Sequence, residues 1–444
     1  MPTTDEPPPS STPRVDVPAV ACNDSVDAVY GAPATLAPMS MAQRGAVVRC
    51  AADTKLSVVD VNARMTAKSA AGVTATSGVN LYRIAYRTYR NDGVEGRSSA
   101  RVYLPTTPRA GGVPIVAIGH PTTGLADSCT PSKNANDLDE LALPFAARGF
   151  AVIASDYAGL GTEGVQGYVA NHDQAHSMLD SVRAVSALLA PGATDGRVVL
   201  AGYSQGGGAV LAAHALASTY GAGGNIVATV VFAPEYFSRI GSFGYLELMR
   251  SPEQLTIFKG VSKPVVAAMR NYSLAYNLLG PSQATVTFPA SKAQGIASQL
   301  DSLCQTPFGG YLQGVAPHVG DIFDPDLRTA FLACVDGKPG CTGTASTLYN
   351  AMMADLLPPD PKGSPILFVQ GLADVIMPPN EEAACNVAAL EGAGVKVERC
   401  VDPPAKHTDV VPRNIGFAEG WAEALLDGKT HPACAPATLP PCTP

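Results

Sequence analysis

Between Val113 and Glu235 the chain alternates short, unbroken apolar runs with longer helical segments. VPIVAIGH (Val113 to His120), FAVIASDY (Phe150 to Tyr157), RVVLAGYS (Arg197 to Ser204) and NIVATVVFAPE (Asn225 to Glu235) are near-continuous apolar text. Strands covered on both faces look like this. LALPFAARG (Leu141 to Gly149), DQAHSMLDSVRAVSALLA (Asp173 to Ala190) and GGAVLAAHALASTY (Gly207 to Tyr220) fill the gaps as helices. The alternation predicts an α/β class fold, a mostly parallel sheet with helices on both faces. Upstream, LYRIAYRTYRNDGVEGRSSARVYLP (Leu81 to Pro105) alternates apolar and polar residues around Asn91-Asp92-Gly93 and predicts a hairpin. From about Tyr236 to Leu357 the segments are helical, without convincing strands. The sheet pattern resumes at SPILFVQGLAD (Ser364 to Asp374), with a helix from Asn380 to Glu391, the strand VKVERCVD (Val395 to Asp402) and a last helix near Ile415 to Leu426. This organisation predicts a core in two parts, 18–235 and 358–444, interrupted by a helical cap over 236–357. Residues 1–17, rich in Pro, Ser and Thr, are expected to be disordered.

A sheet of that size needs apolar filling, and 46% of the 444 residues are hydrophobic while 15% are charged. The formal net charge is −8 and there is no run of Lys and Arg, which argues against a nucleic-acid partner and a polybasic membrane anchor. No apolar stretch approaches the length of a transmembrane helix. The ten cysteines, Cys22, Cys50, Cys129, Cys304, Cys334, Cys341, Cys385, Cys400, Cys434 and Cys442, are even in number and scattered. None forms Cys-x-x-Cys or has a histidine at zinc-finger spacing. They predict five disulfides and an oxidising compartment, hence a secreted protein. The first residues lack a basic n-region and an apolar h-region, so an export leader is expected to have been removed.

Within the alternation, Gly202-Tyr203-Ser204-Gln205-Gly206 sits where a buried strand meets a helix of small residues. With 43 glycines in 444 residues, chance alone gives Gly-x-Ser-x-Gly about 0.3 times, so the strand-turn-helix setting carries the signal. A strained turn there holds the serine hydroxyl over the sheet edge, with a helix N-terminus behind it that favours negative charge. A nucleophilic serine needs a base, and the base needs an orienting carboxylate. His407, in PPAKHTDVVP, follows the last predicted strand, and Asp374, in QGLADVIMPP, follows the one before. The order Ser204, Asp374, His407 is that of the α/β-hydrolases, and all three fall at C-terminal strand ends, where open α/β sheets place their sites. His120 is the rival base, but it precedes the nucleophile and belongs beside the oxyanion loop. His214 is read as core. His172 and His176, four apart, could face a metal, but a solvated helix face is the preferred reading. Asp409 is too close to His407 in sequence to orient it. No metal and no cofactor is expected.

The sequence resembles the secretory lipases of the lipase A type, the LIP family, from about Leu81 to Cys434. The resemblance rests on YRIAYRTYRNDGVEGRSSARVYLP, GHPTTGLADSCTPS, SDYAGLGTEGVQGY, GYSQGG, GLADVIMPP and AKHTDVV. It implies an α/β-hydrolase with a helical cap (lid) insertion, with Ser204 as nucleophile, Asp374 as acid and His407 as general base. It further implies that Asp127 and Gln205 supply the oxyanion hole and that Cys129 pairs with Cys304. The other pairings expected, on closeness in the chain, are Cys22–Cys50, Cys334–Cys341, Cys385–Cys400 and Cys434–Cys442. The chain departs from one member of the family in having Gln205 where that member has Gly, and in ending soon after Cys434 without that member's long C-terminal flap.

These readings converge on a secreted serine carboxylic-ester hydrolase, a lipase or esterase acting through an acyl-enzyme. Its substrates are expected to be small-molecule esters or lipids with acyl groups of short to medium chain, triglycerides and polyesters included. An exopeptidase or amidase on the same fold is the alternative. A monomer is favoured. With no flap, and with the cap tied down at Cys304, a partly open site is expected.

Overall fold

The structure is a computed structural model and describes residues 14–32, 37–134, 137–236, 250, 263–316, 318–434 and 438–443. Nine strands form one sheet. In chain order they are β1 Val47–Leu56, β2 Val79–Tyr89, β3 Glu95–Pro105, β4 Val113–Gly119, β5 Ala151–Ser155, β6 Thr194–Tyr203, β7 Asn225–Phe232, β8 Ile366–Gly371 and β9 Val397–Asp402. Their order across the sheet is β1-β2-β3-β5-β4-β6-β7-β8-β9. From β5 to β9 all neighbours are parallel, and β1, β2 and β3 add an antiparallel edge.

Asn91-Asp92-Gly93 makes the predicted hairpin. Gly93 takes φ +78°, and the Asp92 carboxylate accepts the Val94 amide at 2.9 Å, a local bond that favours a turn. The ladder then runs in unbroken register from Tyr89 opposite Glu95 to Val79 opposite Pro105. β4, β5 and β8 are buried along their whole length. Their apolar text has a direct cause, because helices cover both faces. One face packs α4 (Asn171–Leu188), α5 (Gln205–Tyr220) and α11 (Ala384–Gly392). The other packs α2 (Val58–Ala67), α3 (Asp139–Ala146) and α12 (Val410–Leu426).

The N-terminal part holds more structure than the sequence reading anticipated. α1 (Val26–Tyr30) is capped by the Ser25 hydroxyl. β1 and α2 were not foreseen, although Ser57 and Asp60 make a capping box that announces α2. Residues 1–13 lie outside the described residues. Within the stretch expected to be disordered, Val15 is buried in the core and the Asp16 carbonyl accepts hydrogen bonds from Asn80 and Tyr82. Burial of Val15 explains why this part of a Pro-rich segment is held.

Between β7 and β8 the described residues are helical: α6 Lys263–Leu279, α7 Ala290–Leu300, α8 Gln305–Val315, α9 Pro325–Val335 and α10 Gly343–Ala354. The expected cap boundaries, 236–357, include residues 237–249 and 251–262, which lie outside the described residues. The helices build a third core that also takes in Leu125, Val165, Tyr168 and Val169. Asp355, after α10, ties this unit to the sheet. Its carboxylate accepts the amides of Asn171 at 2.7 Å and His172 at 3.0 Å, and so caps α4.

All ten cysteines are paired. Cys22–Cys50, Cys129–Cys304 and Cys334–Cys341 are as expected, but the other two pairs are Cys385–Cys442 and Cys400–Cys434. Closeness in the chain misleads here because a sheet stands between the partners. Cys385 lies on α11, which packs on one face, whereas Cys400 on β9 packs into the core of the other face, where Cys434 also lies. Leu439 then joins the core on the α11 face, bringing Cys442 to Cys385. A proteolytic map of the non-reduced protein should yield linked peptides Cys385–Cys442 and Cys400–Cys434. A Cys385–Cys400 link would contradict this arrangement.

Candidate active site

Ser204 stands between β6 and α5 with φ 54° and ψ −119°, a conformation L residues avoid. Three backbone bonds hold it there. The Ser204 amide donates to Phe232 O at 2.9 Å, and the Ser204 carbonyl accepts from Gly208 N at 3.1 Å and Glu235 N at 2.9 Å. The flanking glycines are a packing requirement. A Cβ on Gly202 would sit 2.1 Å from Gly206 O, and one on Gly206 would sit 2.0 Å from Gly119 O. The elbow can therefore form only where β6, β4 and α5 approach backbone to backbone.

His407 opens a short 3-10 turn after β9 (His407–Asp409). Its carbonyl accepts the Tyr203 hydroxyl at 2.8 Å, and its ring lies 5.1 Å from that of Tyr203. Nδ1 is 2.8 Å from Asp374 Oδ2 and Nε2 is 3.0 Å from Ser204 Oγ. A carboxylate can only accept, so Nδ1 carries the proton and Nε2 presents a lone pair to the serine hydroxyl. Asp374, just past β8, is fixed in turn. Its Oδ1 accepts the amides of Ile376 and Met377, both at 2.8 Å, and its Oδ2 accepts Gln370 Nε2 at 3.3 Å. The three side chains are sequestered: Ser204 is 4%, Asp374 3% and His407 6% exposed. An acyl carbon reaching Ser204 must therefore leave bulk water.

The structure thus brings together Ser204, Asp374 and His407. Gln205 is the first residue of α5 and wholly buried. Its amide is one of the helix N–H groups that have no intrahelical acceptor. Asp127 is exposed and begins a short 3-10 turn (Asp127–Cys129). Its carboxylate accepts the Gly161 amide at 2.8 Å, and its carbonyl accepts Thr130 Oγ1 and Lys133 Nζ. No hydrogen bond joins it to Ser204 among the described residues.

His120 is buried after β4, where its ring bonds the carbonyls of Pro121 and Asp156 and lies 4.5 Å from the Tyr157 ring. Burial pushes its pKa down, opposed by the nearby Asp156. Its ring nitrogens face those carbonyls and not Ser204. His214 bonds Ser364 O within the core, as expected. Asp409 accepts the Lys406 amide.

His172 and His176 form neither a metal site nor a solvated face. His172 Nδ1 is 2.9 Å from the Asp355 carboxylate, and His176 stacks on Tyr220 at 4.1 Å. Among the described residues no group of three or more His, Cys, Asp or Glu is placed to hold a metal ion. Burial, with His172 second, pushes the His176 pKa from 6.5 down to about 4. The unfolded chain then takes up a proton that the folded one refuses, so stability present above pH 6.5 is lost as the pH falls toward 4. His176→Phe is expected to flatten that limb by about 2 to 3 kcal/mol, measured by urea unfolding at pH 7 and pH 4.5. An unchanged limb would show that His176 does not govern it.

Several site residues carried no signal of their own in the sequence. Tyr203, Gln166 and Tyr168 act through partners distant in the chain, which no spacing rule links, and Gln370 bonds Asp374 from four residues upstream. Gln166 and Tyr168 do lie in the segment SDYAGLGTEGVQGY that carried part of the resemblance.

Comparison with known proteins bears on the family and the fold. The family model described as LIP, secretory lipase, matches residues 135–236 and so covers the Ser204 elbow. No curated protein matches the sequence. Among solved structures, the fold is similar to the rice cell wall degrading esterase LipA from Xanthomonas oryzae. That likeness has a TM-score of 0.65 and 18% identity, over 87% of this chain and 100% of that one. It is also similar to Candida antarctica lipase A, with a TM-score of 0.60 and 18% identity, over 90% of this chain and 87% of that one. At these identities the structural likeness speaks for the fold. No helix among the described residues is long and apolar enough to cross a membrane. The match over residues 135–236 makes this part of the chain similar to the secretory lipases, and the whole fold is similar to that of α/β-hydrolase lipases and esterases.

Proposed function

We propose that the protein is a secreted serine esterase that cleaves carboxylic esters through an acyl-enzyme on Ser204. The observation that carries this reading is the continuous chain Asp374 Oδ2, His407, Ser204 Oγ, with links of 2.8 and 3.0 Å. His407 Nε2 takes the Ser204 proton as Oγ attacks the ester carbonyl. Asp374 holds the proper tautomer and balances the imidazolium that forms. The Gln205 amide, at the positive end of α5, and a second donor from the loop after β4 receive the oxyanion. Asp127 belongs to that loop. His407 then protonates the leaving alcohol, and water attacks the acyl-enzyme by the same route in reverse. The ten cysteines, all in disulfides, support export. The helical insertion, assigned to 236–357, is proposed as the cap that forms the acyl-binding wall.

Asp374→Asn should keep the fold and lower kcat by on the order of 10⁴, since an amide at that place favours the wrong tautomer. A loss under tenfold would remove Asp374 from the triad.

The substrate class is tested with p-nitrophenyl esters from acetate to palmitate, an emulsified triglyceride and amino-acid p-nitroanilides. Turnover of soluble short and medium acyl esters is expected, with no hydrolysis of the anilides. Release of p-nitroaniline at rates matching the esters would make the protein an amidase. A rate that rises only above the solubility limit would make it strictly interfacial.

A further inference from the structure

The loop after β4 is joined to the start of α5 by one buried side chain, that of Gln166, which has no accessible surface. Its Oε1 accepts Gln205 Nε2 at 3.0 Å, and its Nε2 donates to Gly124 O at 2.7 Å. The Gly124 carbonyl can only accept, so the orientation of the Gln166 amide is fixed by its partners.

Both ends of this bridge are anchored. Gly124 takes φ +135°, and a Cβ there would sit 3.0 Å from Cys304 Cα and 3.1 Å from Cys129 Sγ. It pairs with Cys304 in an isolated bridge, while Gln305 N donates to Thr123 O at 2.8 Å. The Cys129–Cys304 disulfide closes the same junction. Gln166 is held from α6, where the Ser273 hydroxyl donates to Gln166 O at 2.5 Å and accepts the Tyr168 amide at 2.9 Å. One turn further, the Tyr168 hydroxyl bonds Thr122 Oγ1 at 2.9 Å.

Two donors that share one oxyanion must be placed relative to each other to within a fraction of an ångström. Here one comes from α5 and the other from a loop 80 residues earlier, and Gln166 is the hydrogen-bonded link between them. We propose that Gln166 is a positioning residue that fixes the loop after β4 against the N-terminus of α5 and so sets the oxyanion geometry beside Ser204. This rests on the reading of Ser204 as nucleophile. Gln166 acts through the backbone of its neighbours and need not touch substrate. Its contribution belongs to the transition state, because only there does the carbonyl oxygen carry full charge.

The test uses Gln166→Met, which keeps volume and removes both bonds, and Gln205→Gly, which removes one arm while leaving the amide. For Gln166→Met, kcat on a soluble ester should fall about 10- to 100-fold with KM within twofold, per active site titrated with a phosphonate. Inhibition by a trifluoromethyl ketone, which adds to Ser204 Oγ as a hemiketal oxyanion, should weaken by the same factor as kcat/KM. Gln205→Gly should show a smaller loss in the same parameter. The double variant should be no worse than Gln166→Met alone, as for links of one chain. If Gln166→Met does not fold, Gln205→Gly with the ketone gives the same readout. A lowered melting temperature with unchanged kcat per titrated site, or strictly additive losses, would overturn the proposal. Activity retained by Ser204→Ala would instead overturn the reading of the site, independently of Gln166.

Discussion

Ser204→Ala is expected to abolish ester hydrolysis while leaving the melting temperature nearly unchanged. The hydroxyl is the atom that bonds to substrate, so nothing else in the site replaces it. Loss of a nucleophile from a coupled triad costs on the order of 10⁶ in turnover, and the residual rate comes from the oxyanion donors and binding alone. The fold should tolerate the change for a visible reason. The bonds that hold the strained turn run from the backbone of Ser204 to Phe232, Gly208 and Glu235, and Ala keeps every one of them. Alanine is also no worse than serine at φ 54°, since both carry a Cβ. Ester turnover and thermal unfolding on the same preparation check both halves. A variant that keeps a tenth of its activity would mean that Ser204 is structural.

Gly206→Ala is expected to do the opposite and remove the fold along with the activity. The added methyl would lie 2.0 Å from Gly119 O and 2.7 Å from His120 N, both backbone atoms that no rotamer change can move aside. β4 and α5 would have to separate at the point where the sheet carries the site. Overpacking of this kind, against backbone atoms on both β4 and the loop after it, should exceed about 4 kcal/mol. Soluble yield and melting temperature against the parent protein provide the check. A soluble, active Gly206→Ala protein melting within a few degrees of the parent would show that the backbone contact is looser than described.

How much of this was legible beforehand differs from element to element. β4 to β8 were readable because burial on both faces writes itself as largely continuous apolar text, β2–β3 because Asn91-Asp92-Gly93 marks a turn, and β9, a partly buried edge strand, because valines still mark it. β1 was not, because it lies at the sheet edge, where burial is partial and no run forms. The proposed triad, Ser204, Asp374 and His407, was legible as a candidate because its members follow strand ends in a fixed order. The Cys385 and Cys400 pairings were not, since the sequence does not show which face of the sheet each thiol occupies. Gln166 was silent for a similar reason. A buried glutamine is marked only by its partners, and these lie on α5 and on the loop after β4, 39 and 42 residues away.

The most direct test of the central claim is covalent trapping. The protein is incubated with a p-nitrophenyl alkylphosphonate, which is attacked by an activated serine and releases nitrophenolate. The digest is then mapped by mass spectrometry. The account predicts one equivalent of nitrophenolate per chain, loss of ester hydrolysis in step with its release, and the phosphonyl group on Ser204. His407→Ala should slow the labelling severely, because the serine then lacks its base. Full inactivation with the adduct on another residue, or undiminished hydrolysis with Ser204 fully modified, would contradict it.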